Sequence, residues 1–377
     1  MQTRLLVIAT LALASPTAFA AAEPAKRLIQ YGTAAHQVAW MTDGETSALS
    51  EKSHEAGHCG GYMDITDHPQ KRGRMALPTV KSVTRILEDG PLYPDYVEPL
   101  MGELSAANLH SAVQHLSSYN NRYYRSETGV QAAHWIRDMF TAYAVGRSDV
   151  TVELVQHRFE QPSVIARIQG SGPNANEIVV IGGHEDSIHQ TFFGGDGGEA
   201  PGADDNASGV STILEVFRVV VQSGFRPNRT LEFMTYAGEE KGLLGSQDIA
   251  ERYKQEGKAV VGAMQFDMTM FPGHTRRITF ITDHVDPALT RFTQQLVDRY
   301  VRFPWTTSQC GYACSDHASW KSAGYASVFP FEAPEAEMNS KIHTTGDLQS
   351  ILDTDFGLHF AKTGLAYVVE MAGPAGW

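Results

Sequence analysis

The stretch RTLEFMTYAGEEKGLLGS, residues 229–246, decides how the chain is read. Residues 231–236 are an apolar, β-branched and aromatic run of strand length, and the second half of the stretch turns abruptly to glycine and two adjacent carboxylates. Glu239 and Glu240 therefore stand where a buried strand ends. In an open α/β sheet, the crevice outside the carboxyl ends of the strands is where ligands and catalytic groups gather. Neighbouring carboxylates at such a place repel each other unless a cation sits beside them, so the stretch calls for a cation.

On either side of it the pattern alternates. Strands are expected at 151–159, 163–169, 177–181, 260–266, 277–281 and 327–331, and helices at 108–116, 131–143, 208–222, 244–255, 287–300 and 356–371. Strands alternating with helices imply an α/β fold: a three-layer α/β/α sandwich with a mixed, largely parallel central sheet covered on both faces. Residues 21–100 differ in character. They hold EKSHEAGHCGG at 51–61, and Pro91, Pro94 and Pro99 near their end read as a linker.

With 377 residues, 42 % hydrophobic and 19 % charged, the chain has ample material for a large core. Residues 1–20 read as a secretory signal: Arg4, an apolar run over 5–14, and small residues at Ala18 and Ala20 before a cleavage point. That run is too short to span a bilayer, and no later stretch is long and apolar enough, so no membrane partner is expected. The formal charge of −13, without a block of Lys and Arg, argues against a nucleic-acid partner. Of three cysteines, Cys310 and Cys314 are placed for a local disulfide in an oxidising compartment, and Cys59 is left over.

Acidic or histidine residues fall directly after expected strands, or in loops beside them, at His184, Asp205, Glu239 with Glu240, Asp267 and His343. Each has a plain reading alone, as a loop histidine, a helix cap, or the charged start of a helix. Gathered at one sheet edge they form a set of imidazole and carboxylate groups suited to Zn²⁺. Gly238, Gly242 and Gly245 crowd the glutamate pair with positions that let backbone approach closely. The glycine-rich stretch 194–202 lacks the Lys-Ser/Thr ending of a phosphate loop. No Gly-x-Ser-x-Gly elbow follows a strand, which leaves a serine hydrolase unsupported.

HEDS at 184–187, PGADDNASG at 201–209, AGEEKG at 237–242, QFDM at 265–268 and IHTT at 342–345 resemble the motifs of the secreted two-zinc leucyl aminopeptidases of bacteria. CGYACSDH at 310–317 tightens the resemblance to the leucyl branch, and order and spacing agree from about residue 108 to residue 371. The resemblance implies a catalytic domain over 101–377, with residues 21–100 a small propeptide-like domain. It implies two Zn²⁺ per chain, with Asp205 bridging, His184 and Asp267 completing one site, and Glu240 and His343 the other. Glu239 would bind no metal and act as general base on the attacking water, and Asp186 would accept the other ring N–H of His184. A cis peptide is implied between Asp205 and Asn206.

The pocket for the first side chain would draw on Met268, Ile281, Cys310, Tyr312, Cys314, Phe329, Phe331 and Ile342, although Phe329 and Phe331, alternating on one strand, also suit a core. The expected substrates are peptide or protein N-termini, leucine first, cleaved by an exported monomer after a processing protease removes the propeptide. Cys59 could ligate zinc and silence the precursor, or simply be buried. Two other readings remain, a glutaminyl cyclase using one zinc on a similar scaffold, and a metal-free receptor domain. The complete ligand set argues against both.

Overall fold

The run at 231–236 forms the strand β7, Thr230–Tyr236, and every residue of it is buried. In the computed structural model of the chain, residues 25–32, 37–55, 61–68, 86–190 and 198–376 are described. The expected signal, Cys59 and much of the glycine-rich loop lie outside them.

The central sheet holds eight strands. Besides β7 they are β4 (Val150–Val155), β5 (Ser163–Ile168), β6 (Glu177–His184), β8 (Ala259–Gln265), β9 (Ile278–Ile281), β10 (Trp305–Ser308) and β11 (Ser327–Phe331). Their order is β10-β9-β11-β8-β6-β7-β5-β4. The middle four, β11, β8, β6 and β7, run parallel, while β9 and β5 join them antiparallel on either flank. This is the mixed, largely parallel sheet expected from the alternating pattern.

Alternate residues on these strands serve opposite faces. Val179, Ile181, Leu231 and Phe233 enter a core shared with the helices Ala106–Leu116, Glu127–Tyr143, Gly209–Gln222 and Thr354–Ala372. Ile178, Val180, Met234 and Tyr236 enter a second core with the helices Leu244–Gln255 and His317–Ala323. Two apolar faces thus explain the three layers. Among the described residues no helix is long and apolar enough to cross a membrane.

Three of the differences from the sequence-based expectation bear on how the chain is organised. The proline-rich linker is instead a helix, Pro94–Met101, with Pro94 in its first turn, where the missing N–H is not needed. Val97 of that helix is fully buried in the main core. The helix expected over 208–222 is preceded by a kinked turn, Ala203–Ser208, whose backbone leaves helical geometry at Asp205 and Asn206. Strand β6 runs on through Gly182 and Gly183, so His184 is its last residue.

Near the N-terminus, β1 (Lys26–Tyr31), β2 (Gln37–Thr42) and β3 (Met63–Asp64) form a three-stranded antiparallel sheet with the helix Asp43–Glu55. This unit docks on the turn after β7. The amide of Asp64 donates to the carbonyl of Gly242 at 3.1 Å, and Gln247 Nε2 donates to the carbonyls of Asp64 and Gly242 at 2.9 and 2.8 Å. Gly242 has φ +108°, and a Cβ there would lie 2.6 Å from the Asp64 nitrogen, so the docking depends on its being glycine.

Candidate active site

The parallel strands deliver their carboxyl ends to one edge of the sheet. His184 ends β6, Asp267 lies two residues beyond β8, and Glu239 and Glu240 lie in the tight turn Glu239–Lys241 after β7. The kinked turn brings Asp205 and the loop before the last helix brings His343. His184 Nε2 lies 3.0 Å from Asp205 Oδ1 and 3.2 Å from Asp267 Oδ1. His343 Nε2 lies 3.0 Å from Asp205 Oδ2 and 2.8 Å from Glu240 Oε2. Asp205 therefore presents one oxygen to each of two histidine–carboxylate pairs, and all five expected ligands meet.

Hydrogen bonds from around them fix these groups. Asn206, fully buried, donates from Nδ2 to the carbonyls of His184 (3.2 Å) and Phe266 (3.0 Å), while its Oδ1 accepts the amides of Gly209 and Met268. One side chain thus stitches together the segments bearing His184, Asp205 and Asp267, and the Asp205–Asn206 peptide is cis. Ser315 Oγ donates to Asp267 Oδ2 at 2.5 Å and accepts from Gln265 Nε2 at 3.0 Å. Asp186 Oδ1 lies 3.4 Å from His184 Nδ1, the ring nitrogen it was expected to serve. Its firmer bonds go elsewhere, to the amides of Glu239 (3.0 Å) and Glu240 (3.3 Å). Asp186 thereby anchors the turn that carries the glutamates.

Burial and charge act against each other throughout the site. Burial pushes the Asp205 carboxyl up, yet hydrogen bonds and charge from His184 and His343 bring it well below the usual carboxylate range. Burial also lowers both imidazoles, but the carboxylates around them more than reverse this and hold His184 and His343 well above the ordinary histidine value. Burial drives Glu239 well upward against the pull of His184, with Asp316, Asp267 and Glu240 adding to the rise. Such crowding of carboxylates is what a bound cation relieves.

The donors suit zinc. Ligand atoms of His184, Asp205 and Glu240 all lie within 4.8 Å of one another, and the buried Glu240 Oε1 has no hydrogen-bond partner among the described residues. Imidazole nitrogen and carboxylate oxygen in such a cluster are a zinc donor set.

A cavity opens in front of Asp205, Glu239, Glu240, Asp267 and His343. An apolar cavity adjoins it, lined by Met268, Ile281, Cys310, Cys314, Phe329 and Phe331 together with Asp267, Glu335 and Met338. Both phenylalanines of β11 thus reach it, and Cys310 and Cys314 form the expected disulfide. Tyr312 and Ile342 belong to the same apolar cluster without lining the cavity. The backbone at Met268 (φ +56°) and His343 (φ +58°) is left-handed, at a cost of order 1–3 kcal/mol each.

Sequence reasoning missed one wall of the main cavity. It consists of Thr46, Ser47, Ser50, Gly61 and Tyr62 from the N-terminal unit, and Gln190 Nε2 donates to Ser50 Oγ at 2.6 Å across the gap. It also assigned no role to Ser315, Asp347 or Arg122. Ser315 and Asp316 stand in the motif CGYACSDH, so a hydroxyl next to an acid was the available signal.

An α/β/α sandwich with a cluster of imidazole and carboxylate groups at the carboxyl edge of its parallel strands is the frame of a metallo-exopeptidase. The family model "Peptidase family M28" matches residues 163–368, and the chain belongs to that family. A "Probable leucine aminopeptidase" of Arthroderma otae is 38 % identical over 371 residues, covering 97 % of each chain. "Leucine aminopeptidase 1" of Coccidioides posadasii is 39 % identical over 367 residues, covering 93 % of this chain and 90 % of the relative. Both are fungal, so the likeness reaches beyond bacteria. Among solved structures, LapB from Legionella pneumophila superposes with TM-score 0.78 at 31 % identity over 92 % of this chain and 99 % of that one. A glutaminyl cyclase of Porphyromonas gingivalis, with TM-score 0.58 and 15 % identity, covers 71 % of this chain and 98 % of its own, and shares the fold.

Proposed function

We propose that the chain is an exported leucyl aminopeptidase that works with two zinc ions, and that its N-terminal unit masks the site until it is removed. The observation that carries this reading is Asp205 set between two histidine–carboxylate pairs, with Glu239 in the same cavity and an apolar pocket beside it. His184, Asp267 and Asp205 would hold one ion, and His343, Glu240 and Asp205 the other. Bound there, the ions supply Lewis acidity that polarises a peptide carbonyl and lowers the pKa of water.

The chain's own groups do the rest. Glu239 stands outside the ligand set, takes a proton from the attacking water and returns it to the departing amine. The pocket of Met268, Ile281, Phe329 and Phe331 would take the first side chain of the peptide, leucine above others, by burying it from water. Thr46, Ser47, Ser50 and Tyr62 stand where the rest of a peptide would enter, which supports a propeptide cut away by a processing protease after export directed by residues 1–20, with the cut before the helix Pro94–Met101, whose Val97 is held in the main core. The working form would be a monomer, since every ligand comes from one chain.

Hydrolysis of leucine p-nitroanilide by the processed chain tests this reading, with metal content measured on the same samples. Glu239→Ala should lose roughly 10²–10⁴-fold in kcat while keeping its zinc. Full activity in that variant would place the base elsewhere.

A further inference from the structure

Two residues outside the ligand set grip the turn that carries Asp205, from opposite sides. Arg122 is fully buried, and its guanidinium bonds backbone carbonyls. Nη1 donates to Pro201 (2.6 Å) and Leu116 (3.1 Å), Nη2 to Gly202 (2.8 Å) and Nε to Glu185 (2.9 Å). From the other side Asp347, also fully buried, accepts the amide of Asp204 at Oδ1 and that of Asp205 at Oδ2, both at 3.0 Å. Asn339 Nδ2 donates to the same Oδ1 at 3.2 Å.

The placement of these bonds is selective. Glu185 is next to His184 in the chain, so Arg122 ties the Asp205 turn to the strand bearing one histidine. Asp347 lies four residues after His343, so it ties the same turn to the loop bearing the other. Gly202 permits the close approach: it has φ +53°, and a Cβ there would lie 2.8 Å from Arg122 Nη2 and 2.4 Å from the Asp205 carbonyl oxygen. Burying a guanidinium against neutral carbonyls is expensive, and that expense is opposed here by the charges of Asp347, Asp205, Asp186 and Glu240. Packing alone at this spot would need no cation, and a lysine could not reach four acceptors with one planar fork.

We infer that Arg122 and Asp347 are positioning residues that set the two oxygens of Asp205 between His184 and His343 and so determine how tightly the pair of zinc ions is held. This rests on the two-zinc reading. Neither residue lines the cavity, and they would act through Asp205 as an outer shell acts on metal affinity.

The test uses the metal-free full chain, zinc binding measured by competition with a chromophoric chelator, and thermal unfolding of the same metal-free samples. Arg122→Lys and Asp347→Asn should each bind zinc roughly 10–100-fold more weakly than the wild type. The double variant should lose less than the product of the two, because both hold one turn. The processed forms should lose kcat with KM little changed. Asn339→Ser, which removes the bonds from Nδ2 to Asp347 and to Asp204 on the same turn, provides a variant that leaves every buried charge in place, and it should weaken zinc binding severalfold. A lowered unfolding temperature with unchanged zinc affinity in the variants, Asn339→Ser included, would overturn the inference alone. A wild type that binds no zinc would overturn the two-zinc reading and this inference together.

Discussion

Asp205 gives Oδ1 to His184 and Oδ2 to His343, so one side chain belongs to both halves of the site. Asp205→Asn should therefore weaken both zinc sites, whereas Asp267→Ala should weaken mainly the one at His184, as metal analysis of purified variants would show. Protons provide a second check at this scale. Neighbouring carboxylates hold both histidines above the ordinary value, and each must be neutral to ligate a metal. Zinc uptake by the metal-free protein should release protons and weaken as pH falls. Calorimetry in two buffers of different ionisation enthalpy measures the release, and a buffer-independent heat would contradict it. The five residues that meet at the sheet edge were legible in the sequence because each sits in a compact motif beside a strand end. Arg122 and Asp347 were not, since their partners are backbone amides and carbonyls that no residue pattern announces.

Between elements, the contact on which the proposed masking depends is the N-terminal unit against the helix Leu244–Gln255. His68 Nε2 lies 2.8 Å from Asp248 Oδ1, and the other oxygen, Oδ2, lies 2.9 Å from His157 Nδ1. His68 is raised above its ordinary value of 6.5 by its hydrogen bond to Asp248, against a lowering by burial, with the charges of Asp248, Glu251 and Asp67 adding to the rise. A raised histidine contributes fully below its undocked value and loses that contribution as pH climbs through the docked one. The unit should thus be clipped faster by an added protease as pH rises above about 6.5, where free imidazole loses its proton, and His68→Gln should flatten that dependence. An unchanged profile in the variant would remove His68 from the docking. Two short elements escaped the sequence, β10 with four residues and the helix His317–Ala323 with seven. Neither is long enough for a period to show, whereas β7 and the helix Gly209–Gln222 declared themselves through long apolar runs. The helix Pro94–Met101 was hidden by its prolines, which mark a helix start as readily as a linker.

Across the molecule, two apolar faces of one sheet hold the strand ends in register, and the site inherits its geometry from that core. Phe233, fully buried between strand and helices, is a direct probe: Phe233→Ala should cost about 3–5 kcal/mol of stability by chemical denaturation, as large-to-small core changes do. Because ions that bind only the folded state stabilise it by mass action, chelator should lower the unfolding temperature of the wild type. The layered fold was legible from alternation alone. The position of the N-terminal unit over the cavity was not, because long-range docking leaves no periodic trace in the residues that make it. The measurement that bears most directly on the whole account is the zinc content of purified wild type and His343→Ala after equilibration with zinc and removal of excess. The account predicts about two ions per chain in the wild type, as a two-metal site requires, and about one in the variant, kept by His184, Asp267 and Asp205. A wild type that never holds more than one ion, or a variant that still holds two, would contradict it.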